Sequence, residues 1–257
     1  MRGRFLVVFL IAMMTVLWPL ASAAPAADTD PGAGVFGPGR PAAAVGALFT
    51  VNDGRLGTHF CTASVVDSPA GDLLITAAHC MAGYSAHAPA GVAFVPGYDN
   101  GAAPYGTWKV TRVFVDPAWA KSASANDDVA FLTVARSGSG QAIESVTGGE
   151  ALSTDPDPVG AVVRVTGYPD RANRPVSCQN QVTAFGAGQL EFDCDGYTDG
   201  TSGSPFLVRA AGAAGPDLVI GVIGGYQQGG DSPDVSYAAA FGPAISALYQ
   251  SAAAGVE

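Results

Sequence analysis

Charge is scarce in this sequence. Asp, Glu, Lys and Arg together make up 13% of 257 residues, and the 12 cations are outnumbered by 22 acids, a formal net charge of −10. No basic stripe or Arg cluster stands out, so nucleic acid and anionic membrane are poor partners. The usual signatures of a metal site are missing as well. There are three histidines and four cysteines, and neither C-x-x-C nor H-E-x-x-H occurs, so no metal and no cofactor is expected. Helical periodicity is nearly absent before residue 243, and no long apolar run follows residue 20. Disorder is excluded by the opposite excess: 48% of residues are hydrophobic, while 34 Gly and 18 Pro stay below the low-complexity range. A chain of this length can bury one large all-β domain, or two lobes of about 100 residues each.

What is present begins with an export signal. Arg2 and Arg4 precede the 16-residue apolar run FLVVFLIAMMTVLWPL, which is short for a membrane span, and the small residues ASAA follow. Residues 1–23 read as a signal peptide cut after Ala23, which implies a secreted, extracellular protein with no membrane attachment once the signal is removed. Residues 24–43 are rich in Pro, Gly and Ala and read as a linker or short pro-segment, with folding beginning near Val45. In an oxidising compartment four cysteines favour two disulfides. Three pairings are possible. Cys61 and Cys80 lie on consecutive strand candidates, as do Cys178 and Cys194, so nearest-neighbour pairing is the most economical.

From residue 44 onward, short β-branched and aromatic segments alternate with Gly, Pro, Asn and Asp, the pattern of a sandwich or barrel. Six segments (AVGALFTV, HFCTASVV, DLLITAAH, GVAFVPGY, TWKVTRVFV, DVAFLTV) precede a polar stretch from about Arg136 to Pro158. Six more follow it (VVRVTGY, PVSCQNQVTAF, LEFDC, GSPFLVRA, LVIGVIGGY, VSYAAAF). The expected fold class is all-β: two six-stranded antiparallel barrels, at about 44–140 and 150–242. A helix at about 243–253 closes the chain, with Pro243 suited to its first turn and Ile245, Leu248 and Tyr249 on one face.

Three polar residues stand out against these strands. His79 ends the apolar strand LLITAAHC, Asp128 enters the apolar strand DVAFLTV, and Ser202 lies in the glycine-rich GYTDGTSGSP. Singly they read as a core histidine, a strand-capping acid and a turn serine. Together they supply what acyl transfer by a hydroxyl needs: a base to take the proton, and a buried carboxylate to hold the imidazole in one tautomer. A Gly two residues before the serine lets the N–H groups of Gly200 and Ser202 point into one small space, where they form an oxyanion hole. The neighbouring acids Asp127 and Asp128 are sent to opposite sides by strand alternation.

TAAHC, DDVAFL and GTSGSP, in the order His, Asp, Ser and 49 and 74 residues apart, resemble the chymotrypsin-like serine proteases. The resemblance runs from about Ala44 to the C-terminal helix. It implies a serine endopeptidase, expected as a monomer acting on extended polypeptide, with an active-site cleft between two lobes. His79 and Asp128 would come from the first lobe and Ser202 from the second. It also implies a Cys61–Cys80 disulfide fixing the histidine loop. VIGVIGGYQ becomes an edge strand that pairs with substrate backbone, and Gly196, Tyr197, Gly224, Gly225 and Tyr226 become substrate-binding residues.

Thr201 departs from the animal digestive members, where an Asp before the nucleophile receives a newly cut amino terminus. Without that charge, the oxyanion loop is expected to be ordered with no help from a free terminus. GTSGSP is closer to the secreted bacterial branch that includes glutamyl endopeptidases, yet no histidine follows His87, which argues against glutamate specificity. An α/β-hydrolase esterase would need G-x-S-x-G, the order Ser, Asp, His, and alternating helices. All three are missing. A catalytically silent binding or regulatory module on a protease scaffold is the alternative, because fold alone does not guarantee activity.

Overall fold

The computed structural model describes residues 35–38, 42–84, 86, 91–136, 138–153, 158–209 and 215–256. The segment read as a signal peptide lies outside them. Within the stretch read as a linker, β1 (Val35–Pro38) is a strand.

The N-terminal half closes on itself. Strands β2 (Val45–Asn52), β3 (Arg55–Val66), β4 (Leu73–Thr76), β5 (Val92–Pro96), β6 (Trp108–Val115) and β7 (Ala130–Ala135) form an antiparallel barrel in the order β2-β3-β4-β7-β6-β5. Alternation along each strand decides which core a side chain joins. In β4 the run Leu-Leu-Ile-Thr is buried on both faces: Leu74 packs inside the barrel with Leu48, Phe94, Trp108 and Leu132, while Leu73 and Ile75 join a second cluster outside it. That outer cluster holds the two halves together, since it also contains Leu207, Val219, Val222 and Phe241 from the C-terminal half.

A short helix, α1 (Pro117–Ser122), crosses between β6 and β7, with Asp116 capping it through the Ala118 N–H. The polar linker between halves carries a one-turn helix, α2 (Glu144–Thr147), and a two-residue strand, β8 (Ala151–Leu152). Neither announces itself in the sequence, because both are too short to show periodicity.

In the C-terminal half, strand pairing does not close the barrel expected there. Strands β9 (Val162–Gly167), β10 (Val176–Gln181), β13 (Pro205–Val208) and β14 (Leu218–Val222) form a six-stranded sheet with β1 and β8, in the order β1-β10-β9-β13-β14-β8. Strands β11 (Thr183–Phe185), β12 (Gln189–Asp193) and β15 (Val235–Ala239) form a separate sheet of three. An isolated bridge, Ile223 to Ala238, links the two sheets, and side chains from both share one core around Phe192, Phe206 and Val165. The segment PVSCQNQVTAF is split at Val182 into β10 and β11.

The C-terminal helix α3 (Pro243–Ala254) begins with Pro243 and ends at Gly255 in the left-handed conformation. Ile245, Leu248 and Ala252 are buried against the shared cluster, and the Tyr249 hydroxyl donates to the Asp67 carbonyl at 2.7 Å. Disulfides join Cys61 to Cys80 and Cys178 to Cys194. Among the described residues no helix is long and apolar enough to cross a membrane.

Candidate active site

Strand β4 ends at Thr76, and the chain turns at once into a 3-10 turn, Ala78–Met81, that carries His79. The Cys61–Cys80 disulfide ties this turn to β3. A second 3-10 turn, Ala125–Asp127, delivers Asp128 just before β7. Asp127 turns outward and accepts from the Ser124 hydroxyl at 2.6 Å, whereas Asp128 is 3% exposed and reaches under His79.

Every donor to the Asp128 carboxylate comes from the same small region. Oδ1 accepts from the His79 backbone N–H at 2.8 Å, and Oδ2 accepts from His79 Nδ1 at 2.7 Å and from the Gly225 N–H at 2.8 Å. Burial works to raise this carboxyl, but the bond and charge of His79 and the two backbone N–H groups outweigh it and hold it below its ordinary value. A carboxylate can only accept, so Nδ1 carries the ring proton of a neutral His79 and leaves Nε2 as a lone-pair acceptor.

His79 and Ser202 line one cleft of about 640 Å³ together with Gly200, Thr201, Thr198 and Tyr197. Two glycines shape the serine loop. Gly200 has φ +93°, and a Cβ there would lie 2.4 Å from the Asp170 nitrogen; Gly203 has φ +82°, and its Cβ would collide with Thr76 Oγ1 and the Thr62 carbonyl. The backbone is therefore packed against both halves with no space for a side chain. Among the described residues the N–H groups of Gly200 and Ser202 have no protein acceptor.

The expected substrate-binding residues separate into two groups. Tyr197 lines the cleft, though its hydroxyl is buried and donates to the Val165 carbonyl at 2.7 Å. The other four do not line it. Gly196 sits in the preceding turn, its N–H donating to Asp195 Oδ1. Gly224 and Gly225 lie against Asp128, where a Cβ on Gly224 would come within 3.1 Å of Oδ2. Tyr226 points its 42%-exposed ring into a cluster with Phe185 and Tyr237, at 4.9 and 5.1 Å.

The segment expected as an edge strand, VIGVIGGYQ, is a strand only in its first part. β14 stops at Val222, and Tyr226–Gly229 is a 3-10 turn with Gln227 and Gln228 in the left-handed region. The cause lies in distant side chains: the Gly225 N–H is taken by Asp128 and the Tyr226 N–H by Gln189 Oε1, so from Gly225 onward these groups bond to side chains and not to a neighbouring strand. The far wall of the cleft is formed instead by Gln227 to Pro233. The polar, glycine-rich run QQGGDSP was the one sequence signal for this wall. Thr62, which bonds to the serine loop from β3, had none.

One group of His, Cys and acid side chains among the described residues is close enough to hold an ion: Cys61, His79 and Cys80. Both sulfurs are already joined in the disulfide. A neutral imidazole on a buried carboxylate, sharing a cleft with a serine hydroxyl, can take a proton from that hydroxyl, and N–H groups with no protein acceptor can stabilise a developing oxyanion.

No curated protein matches the sequence. Among solved structures, the protease Anisep from Arthrobacter nicotinovorans is 25% identical with a TM-score of 0.69, over 86% of this chain and all of that one. The fold is also shared with the thermostable serine protease AL20 from an extremophilic microorganism (22% identity, TM-score 0.67, 83% of this chain and 98% of that one). A Glu endopeptidase has the same fold (17% identity, TM-score 0.62, 83% and 92%). The profile of the trypsin-like peptidase domain matches residues 57–215, more than half of the sequence, and the chain thus belongs to the trypsin-like peptidase family.

Proposed function

We propose that the protein is a secreted serine endopeptidase that cleaves polypeptides through an acyl-enzyme on Ser202. The observation that carries this reading is the 2.7 Å bond from His79 Nδ1 to the buried Asp128, beside a cleft that His79 shares with Ser202. Ser202 Oγ attacks the scissile carbonyl carbon as its proton passes to His79 Nε2. Asp128 keeps the proton on Nδ1 and stabilises the imidazolium. The negative charge on the carbonyl oxygen meets the N–H groups of Gly200 and Ser202, and such donors contribute about 3 kcal/mol each to the transition state. The C–N bond then breaks, with the amine leaving with the proton from Nε2. Water, activated by the same nitrogen, hydrolyses the ester and returns Ser202. Secretion rests on the signal-like first 23 residues and agrees with the two disulfides.

A fluorophosphonate probe tests the reading directly. Purified protein is expected to be labelled at Ser202, and Ser202→Ala to abolish both labelling and casein hydrolysis. Unlabelled wild-type protein would instead favour the silent-module reading.

A further inference from the structure

The serine loop carries an ordered set of carbonyl bonds that the reaction does not itself require. Asp199 O accepts from the Asp170 N–H at 2.7 Å, and Ser202 O from the Thr62 N–H at 2.8 Å. Gly200 O accepts from the Thr62 hydroxyl at 3.0 Å. Thr201 O accepts from the Ser204 hydroxyl at 2.6 Å and the Ser204 N–H at 3.0 Å. Four consecutive carbonyls are thus pinned, all by neutral donors.

In a planar trans peptide the C=O and the following N–H point in opposite directions. Pinning Asp199 O therefore aims the Gly200 N–H away from residue 170, and pinning Thr201 O aims the Ser202 N–H away from Ser204. Among the described residues neither of these N–H groups has a protein acceptor. The planes that flank the Ser202 N–H on either side are both held by Thr62.

The direction of the Thr62 hydroxyl is determined. Its oxygen accepts from the Tyr168 N–H at 2.9 Å, and an N–H can only donate, so the single hydroxyl proton goes to Gly200 O. Thr62 is fully buried, and its carbonyl is held in turn by the Thr76 hydroxyl at 2.7 Å. It belongs to β3, in the opposite half of the molecule from the loop it holds. Gly200 is the residue most able to let its peptide flip, and this hydroxyl stands directly on its carbonyl.

We propose that Thr62 is a positioning residue that, with Ser204 as a second strut, orders the oxyanion donors through uncharged hydroxyl bonds across the two halves. The inference rests on the reading of Ser202 as nucleophile. Thr62→Val keeps the shape and removes the hydroxyl; Thr62→Ser restores it. Turnover of a peptide amide and inhibition by a peptidyl boronic acid, whose tetrahedral adduct places an oxygen in the hole, are measured on full-length protein with its disulfides formed.

Thr62→Val is expected to lower kcat about 10- to 100-fold, less than outright loss of a donor, with KM within about threefold. Boronate affinity should fall by a similar factor, and Thr62→Ser should recover both to within about threefold. A merely structural role would move melting temperature without this paired loss. If Thr62→Val fails to fold, Ser204→Ala is expected to give the same signature. Wild-type kcat and boronate affinity in the folded variants, or a loss that Thr62→Ser does not recover, overturns the inference alone. A wild-type protein that neither turns over peptide nor binds the boronate overturns the peptidase reading and this inference with it.

Discussion

At the scale of single residues, two neighbouring acids differ only in where the chain sends them. Asp127 closes a surface turn with Ser124, while Asp128 takes three donors in a buried pocket. Asp128→Asn puts an amide donor opposite Nδ1 and reverses the tautomer, so turnover is expected to fall by roughly three to four orders of magnitude. Asp127→Asn should change it by less than about threefold, since its carboxylate bonds the Ser124 hydroxyl in a half-buried turn and does not reach His79. Steady-state kinetics on one peptide substrate decides the matter, and equal losses at both positions would overturn the assignment. As a candidate, Asp128 was legible in the sequence through the motif DDVAFL; strand alternation does not separate the two acids, since Asp127 ends a 3-10 turn and Asp128 lies before β7. The retreat of Gly224 and Gly225 beneath it was not, because the Gly225 N–H that bonds Asp128 belongs to a segment 97 residues away.

At the scale of elements, strand content was read well wherever a segment was buried and β-branched. The six strands of the first barrel begin within a few residues of the apolar segments that announce them. Elements that owe their form to hydrogen bonds from elsewhere were missed: β8, held by β14, and the 3-10 turn at Tyr226, held by Gln189. The disulfides act on different elements. Cys61–Cys80 spans 19 residues and holds the histidine turn; Cys178–Cys194 spans 16 and joins β10 to the end of β12. Loops of this size contribute roughly 3 kcal/mol each in the chain-entropy model. Replacing either pair by Ala should therefore lower the melting temperature by several degrees, but only the Cys61/Cys80 replacement should also reduce kcat by tenfold or more. Thermal melts beside kinetics test this, and an equal kcat loss from both pairs would refute the separation.

At the scale of the whole molecule, the seam between the halves carries a buried acid. Glu150 bonds through its backbone to Val65 and Asp67, next to the strand that pairs with β14. Burial, with the nearby charges of Asp217 and Asp67 and against the pull of Arg164, pushes its carboxyl up to about 7 from 4.5. Below pH 4.5 it is protonated whether folded or not, and costs nothing. Between pH 4.5 and 7 the unfolded chain ionises this group in water while the folded state keeps it protonated, so stability is lost across that window and no further above about 7, by at most roughly 3 kcal/mol. Glu150→Gln should raise the melting temperature at pH 8 and leave it unchanged at pH 4. A variant no more stable than wild type at pH 8 would show that the charge is already compensated.

By itself the sequence determined the all-β class, the C-terminal helix, the order of His79, Asp128 and Ser202, and the economical cysteine pairing. Each of these is written in local alternation, in turn residues or in short contiguous motifs, which need no knowledge of distant neighbours. The tertiary structure alone decided that the second half is two sheets and that Gln227 to Pro233 make the far wall of the cleft. It also decided that a threonine in the first barrel holds the serine loop of the other half. Those outcomes depend on which backbone group finds which partner across more than a hundred residues, as Thr62 does with Gly200 at a separation of 138, and no local pattern encodes such a meeting.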